Sequence, residues 1–146
     1  MDYYLNKENT QKRLFEEYKK YNSLVVAFDF DNTVYDFHQN GWRFENMIQL
    51  LQDLKSIGCY LIVFTANEDE NFVKNYCQKQ TIPFDAINEN PPFYQSESRK
   101  IYYNVLLDDR AGLAQVYEDL KALVLMIKKI KNHEILFRKN NTRIPE

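Results

Sequence analysis

Two carboxylates one residue apart, Asp29 and Asp31, close the apolar run LVVAFDF at residues 24–30. A second acidic pair, Asp108-Asp109, closes the run YYNVLLDD at 102–109. Between them in the chain, Thr65-Ala66-Asn67 closes the run that starts at Cys59. In an extended backbone residues i and i+2 face the same side, so Asp29 and Asp31 can address one substrate if the chain stays extended there. One carboxylate can attack phosphorus while the other moves a proton, which splits ester hydrolysis into two steps. If the three runs are neighbouring parallel strands, four carboxylates converge at one edge. Like charges in a partly buried site repel, and a hard divalent cation resolves the conflict. A ligand set of oxygens without His or Cys points to Mg²⁺ rather than Zn²⁺.

The elements that must position these residues are legible as patterns. Residues 24–30, 59–64 and 102–107 are short, apolar and rich in β-branched side chains, as strands buried on both faces are. Phe84 to Ile87 reads as a short additional strand. Residues 11–21, 42–57, about 68–80 and from Leu113 to Ile127 carry apolar residues at helical spacing. In the second of these the stripe includes Trp42, Phe44, Met47, Ile48, Leu51 and Leu54, and Gly58 follows where a left-handed C-cap belongs. Strands alternating with amphipathic helices predict an α/β fold with a mostly parallel sheet. In such sheets ligands bind beyond the carboxyl ends of the strands, where the Asp and Thr residues stand.

The bulk properties exclude other classes. The chain of 146 residues suits one domain and one core, expected to span 1–146. At 45% hydrophobic and 15% aromatic residues it is too apolar to be disordered. A net charge of -2 provides no global basic field, so nucleic acid enters only as a substrate. Cys59 and Cys77 match no metal-ligand spacing and suit a reduced, intracellular protein. The polar start has no apolar signal core, and Ala122 to Ile127 is far short of the ~20 residues of a membrane span. A cytoplasmic location without membrane partners is expected.

The segment Asp29-Phe30-Asp31-Asn32-Thr33-Val34 resembles the first motif of the haloacid dehalogenase-like superfamily. Thr65 after Leu61 to Phe64 resembles the second motif, Lys100 the third, and Leu106-Leu107-Asp108-Asp109 the acidic fourth. The resemblance covers about residues 24–113 with the motifs in order. It implies a Rossmann-like three-layer sandwich and a Mg²⁺-dependent phosphatase. It implies Asp29 as nucleophile and metal ligand, and Asp31 as acid/base with its backbone carbonyl on the metal. Thr65 is then a phosphoryl hydrogen-bond donor, Lys100 the phosphate-neutralising cation, and Asp108 and Asp109 further metal ligands. Asn32, Thr33, Ala66, Asn67 and Arg110 beside these motifs are candidate substrate contacts.

Blander roles stand beside these. Thr65 or Asn67 suits a helix N-cap, and Arg99 rivals Lys100 in a polar loop. Asp36 and His38 suit surface turn residues, with leaving-group contact as their sharper role. Trp42 suits core packing, with an aromatic platform including Phe93 and Tyr94 as the alternative. Asn88, Glu89 and Asn90 suit either a turn or a substrate-facing loop. About eight residues separate Thr33 from the helix near Trp42, too few for a folded lid on ordinary loop lengths. A capless form is therefore expected, its open site covered by a large substrate or a neighbouring subunit, or left open. The expected partner is a phosphorylated small molecule or macromolecular end. The alternative function is a non-catalytic, regulatory phosphate-binding or interaction module of the same fold. A receiver-like signalling domain has the wrong motif order, since Lys100 precedes Asp108-Asp109.

Overall fold

The computed structural model describes residues 1–142. After a single 3-10 turn at Tyr3–Leu5, the chain forms α1 (Lys7–Tyr21), β1 (Val25–Phe28), α2 (Glu45–Ser56) and β2 (Tyr60–Val63). Then come α3 (Glu70–Lys79), β3 (Ala86–Ile87), β4 (Val105–Leu107) and α4 (Leu113–Asn141). The four strands make one all-parallel sheet in the order β3-β2-β1-β4. The α/β, Rossmann-like sandwich expected from the sequence is the fold observed.

Register carries the site. Phe28 pairs with Val63 on one side and Leu107 on the other, and Val63 pairs with Ile87. Hydrogen bonding continues one residue further: Asp29 N–H donates to Leu107 C=O at 2.8 Å, Phe64 N–H to Phe28 C=O at 2.8 Å, and Asn88 N–H to Val63 C=O at 2.8 Å. Asp29, Thr65, Asn88 and Asp108 therefore emerge at the same edge.

Alternation along the strands separates two apolar layers. Val26, Phe28, Leu61, Val63, Val105 and Leu107 join buried residues from all four helices in the main core. Val25, Ala27 and Ile62 face the other way and pack with Ile101, Tyr102 and Tyr103. Two steps, through α2 and α3, carry the chain from β1 to β3 in one direction. The return to β4 crosses β2 and β1 through residues 88–104, which form neither helix nor strand. The second face of the sheet is thus covered by an irregular strap.

Local chemistry sets the element ends. Asn6 caps α1 by accepting the Glu8 N–H at 2.8 Å, and Asn22 ends it at φ 53°. Gly58, at φ 91°, has the left-handed conformation expected after α2. Buried Asp119 of α4 accepts from Thr10, Gln11 and Gln115, which fastens α1 to α4.

Two expectations change. The helix expected from residue 42 starts at Glu45 and leaves Trp42 56% exposed, outside the core. The cause is Asp36, whose carboxylate accepts the N–H groups of Asn40, Gly41 and Trp42 at 3.2, 2.8 and 3.1 Å. Those backbone groups are held in a loop and are lost to the helix. The helix expected to reach Ile127 runs on to Asn141, because its last turns need no core contact; Leu136 and Phe137 there are exposed. Among the described residues no helix is long and apolar enough to cross a membrane.

Phe28 is fully buried at the sheet centre, whereas Leu125 on α4 is 64% exposed. Phe28→Ala is expected to cost about 3–5 kcal/mol and Leu125→Ala less than about 0.5 kcal/mol. Urea unfolding monitored by circular dichroism checks both, and equal effects would contradict this assignment of the core.

Candidate active site

One carboxylate oxygen each from Asp29, Asp108 and Asp109 lies within 4.8 Å of the others. Asp29 follows β1 and the acidic pair follows β4, so pairing of these neighbouring strands enforces the proximity. Burial comes first in pushing the Asp29 pKa up to about 7; the charge of Asp108 and a hydrogen bond with Asp109 push in the same direction. Asp31 is also raised, by burial and then by the charge of Asp109. None of the ion pairs among the described residues involves these four carboxylates.

Asp31 stands where the extended chain gives way to a turn. The strand ends at Phe28, and the Phe30 carbonyl accepts from the N–H groups of Thr33, Val34 and Tyr35 at 3.3, 3.1 and 3.1 Å. Asn32 takes φ 59° at the tip. Phe30 is buried in the main core while Asp29 and Asp31 on either side of it both line one cavity, the i, i+2 arrangement expected from the sequence. The Asp31 side chain lies outside the trio formed by Asp29, Asp108 and Asp109. Asp31 Oδ1 and Asn32 Oδ1 are both buried without a hydrogen-bond donor. The carboxylate trio and these two unpartnered oxygens form a cluster of acceptors, a composition that suits a hard cation with oxygen ligands. Mg²⁺ fits this set through Asp29, Asp108 and Asp109.

Thr33 is fully buried beneath the carboxylates. Its hydroxyl accepts the Asp109 N–H at 3.2 Å and has Asp29 Oδ2 and Asp109 Oδ1 each at 3.4 Å as acceptors for its proton. It ties β1 to β4 and does not line the cavity, which corrects its expected substrate contact. Thr65 does line the cavity. Its Oγ1 accepts the Asn67 N–H at 3.1 Å, and Asn67 in turn accepts the Asp69 N–H at 2.9 Å. Asp69, rather than Thr65 or Asn67, caps α3 by accepting the Phe72 N–H at 3.0 Å. Ala66, Asn32 and Arg110 line the cavity; Asn67 does not.

Lys100 is not brought in. It is exposed on the strap, its Nζ 5.4 Å from the ring centroid of Tyr103, and it is absent from the cavity wall. Tyr103 lies 6.4 Å, ring to ring, from Phe64, which does line the cavity. Arg99 is also exposed on the strap.

Three contributors are clearer in space than in sequence. Asn88, at φ 52°, accepts the Thr65 N–H and donates to the Thr65 C=O, both at 2.8 Å, and so fixes the Thr65 backbone. The Asn88-Glu89-Asn90 stretch pointed to a turn or a substrate loop; no signal in it pointed to a clamp on another strand. Phe37 and His38 complete the cavity, which has a volume of about 560 Å³. Both cysteines are free and buried, with thiols pushed up to about 11 at Cys59 and about 12 at Cys77 by burial, so neither is activated.

No protein-family model matches the chain, and no curated protein does. A solved structure does match: the "Structure of the conserved protein coded by locus from Bacteroides thetaiotaomicron" superposes with a TM-score of 0.57 at 25% sequence identity. The match covers 68% of this chain and 91% of that one. The likeness shows a shared fold, and its description states no activity.

The raised Asp29 pKa has a consequence for stability. Its folded value of about 7 lies above the ordinary carboxylate value of 3.8, so the folded metal-free protein holds the proton more tightly than the unfolded chain. Stability then falls as pH rises from about 4 through 7. Asp29→Asn removes that loss, so the metal-free variant is expected to melt above wild type at pH 8 and level with it below pH 4. Each kcal/mol relieved corresponds to about 2–4 °C. A lower melting temperature for the metal-free variant at pH 8 would contradict the repulsion described here.

Proposed function

We propose that the chain is a Mg²⁺-dependent phosphatase that hydrolyses a phosphate monoester through an aspartyl-phosphate, an acyl phosphate on Asp29. The observation that carries the reading is the trio of carboxylates at the ends of two paired strands, with no cation bonded to it among the described residues. Mg²⁺ held by Asp29, Asp108 and Asp109 supplies charge that offsets both the carboxylates and the incoming phosphate.

The residues divide the work by environment. Asp29 Oδ attacks phosphorus, forming the O–P bond as the ester O–P bond breaks. Asp31, on the same cavity wall as Asp29, gives its proton to the departing alkoxide. The carboxylate left behind then takes a proton from the water that cleaves the Asp29–phosphate bond. Thr65, with its backbone held by Asn88, is placed to hydrogen-bond a phosphoryl oxygen. Arg110 lines the cavity and is the closest match to a neutralising cation, with Lys100 one aromatic ring outside the wall. A non-catalytic module of this fold has no need of both Asp29 and Asp31, and both are present.

A panel of phosphate esters assayed with and without Mg²⁺ tests the reading, and hydrolysis is expected only with the metal. Asp29→Asn is expected to reduce turnover to background with the fold intact by circular dichroism. Asp31→Asn is expected to slow alkyl esters about 10²–10⁴-fold, the usual worth of a general acid, and activated aryl esters much less. Equal loss on both classes would remove Asp31 from the acid role. Arg110→Ala is expected to lower kcat/KM more than Lys100→Ala; the reverse order would show that Lys100 swings in over Tyr103.

A further inference from the structure

Part of the cavity wall has no role in the chemistry just described. Phe37, His38 and Phe64 stand beside the carboxylates and carry no group that the phosphoryl transfer needs. Phe37 is 53% exposed, and its aromatic contact is an edge-on one with His38 at 5.0 Å between ring centroids. An exposed phenyl ring gains little stability from folding. Yet the loop that presents it is firmly built. Phe37 N–H donates to the Tyr35 carbonyl at 3.0 Å, and Tyr35 stacks on Phe30 at 5.1 Å. On the other side of Phe37, the Asp36 carboxylate takes the N–H groups of Asn40, Gly41 and Trp42. The backbone that carries the ring is therefore held on both flanks, while the ring remains open to solvent on the wall of the acidic site.

We propose that Phe37 and His38, with Phe64, form a recognition site for the base of a nucleotide, so that the substrate is a nucleoside monophosphate. The proposal rests on the phosphatase reading for the fate of the phosphate, and on the aromatic wall for the rest. A π-face stacks on any nucleobase without needing a fixed hydrogen-bond pattern, and His38 adds ring donors and acceptors beside it. The cavity, at about 560 Å³, falls within the roughly 300–1,000 Å³ of drug-sized ligand sites. A phosphate with a short alkyl alcohol would leave the Phe37 end empty. Asp29 is half-buried and Phe37 is 53% exposed on the same cavity wall, so a ligand with its phosphate at Asp29 has an aromatic surface left to contact.

Binding to the Asp29→Asn protein in Mg²⁺, measured by calorimetry, tests the proposal without relying on turnover. Adenosine 5′-monophosphate is expected to bind about 10-fold or more tightly than ribose 5-phosphate, in line with the worth of one stacked base. Adding Phe37→Ala is expected to bring the two ligands within about twofold, and Phe37→Tyr to keep the advantage; stacking predicts both outcomes. Equal affinities in the Asp29→Asn protein, no detectable binding of either ligand, or an equal loss for both ligands in the Phe37→Ala variant would overturn it. A Phe37-dependent advantage for phosphotyrosine in place of the nucleotide would overturn it too, and would assign the ring site to a protein side chain. Wild-type kinetics separate the two readings. Hydrolysis of ribose 5-phosphate with no gain from a base sinks the base site and spares the phosphatase; no turnover of any ester sinks the phosphatase while the binding ratio still decides the base site.

Discussion

Strand pairing holds like charges together here against their own repulsion. Asp29 continues the β1–β4 ladder by donating its N–H to Leu107, and the next residue of β4 is Asp108. Pairing that runs to the ends of β1 and β4 keeps the two residues side by side at one edge of the sheet. Buried Thr33 adds a second tie between the two strand ends. Burial first, and then the charge of Asp108 and a hydrogen bond with Asp109, push the Asp29 pKa up to about 7. A proton or a divalent cation relieves this crowding of carboxylates, and only the cation does so with Asp29 left ionised. The oxygen-only donor set and the unmatched acceptors of Asp31 and Asn32 follow the same logic.

The rest of the domain serves that edge. The main core lies between the sheet and the helices, and it fixes β1, β2 and β4 in register. On the opposite face an irregular strap replaces the expected regular layer. It buries Ile101 and half-buries Tyr102 and Tyr103 against Val25, Ala27 and Ile62, so apolar contact is kept without helical hydrogen bonding. The strap also places Lys100 on an aromatic ring outside the cavity. Charge on the cavity wall is left to Arg110.

What the sequence reveals follows from how local each cause is. The four strands and the acidic strand ends are visible because apolar runs that stop at Asp or Thr are short-range patterns. Gly58 is visible because a left-handed cap is a property of one residue and its helix. Asp29 and Asp31 share a wall because alternation is a property of neighbouring residues, whereas the turn that follows depends on the Phe30 carbonyl collecting three N–H groups, which no spacing rule encodes. Trp42 fits a helical stripe and is nevertheless exposed, because Asp36 captures the backbone ahead of α2. Asn88 acts on Thr65 across a strand pair 23 residues away in the chain, and that coupling exists only after folding. Thr33 shows the converse: its motif position suggests a substrate contact, while its burial makes it a tie between strands.

The central claim is that Asp29 becomes covalently bonded to phosphorus, and capturing that bond is the direct test. Acid quenching of the Mg²⁺-loaded protein during turnover of a ³²P-labelled ester, followed by proteolysis and mass spectrometry, reads it out. The account predicts label on the peptide containing Asp29, lost on treatment with hydroxylamine and absent from Asp29→Asn. Steady hydrolysis by wild type with no trapped label, together with residual turnover by Asp29→Asn, would contradict it and assign the attack to water.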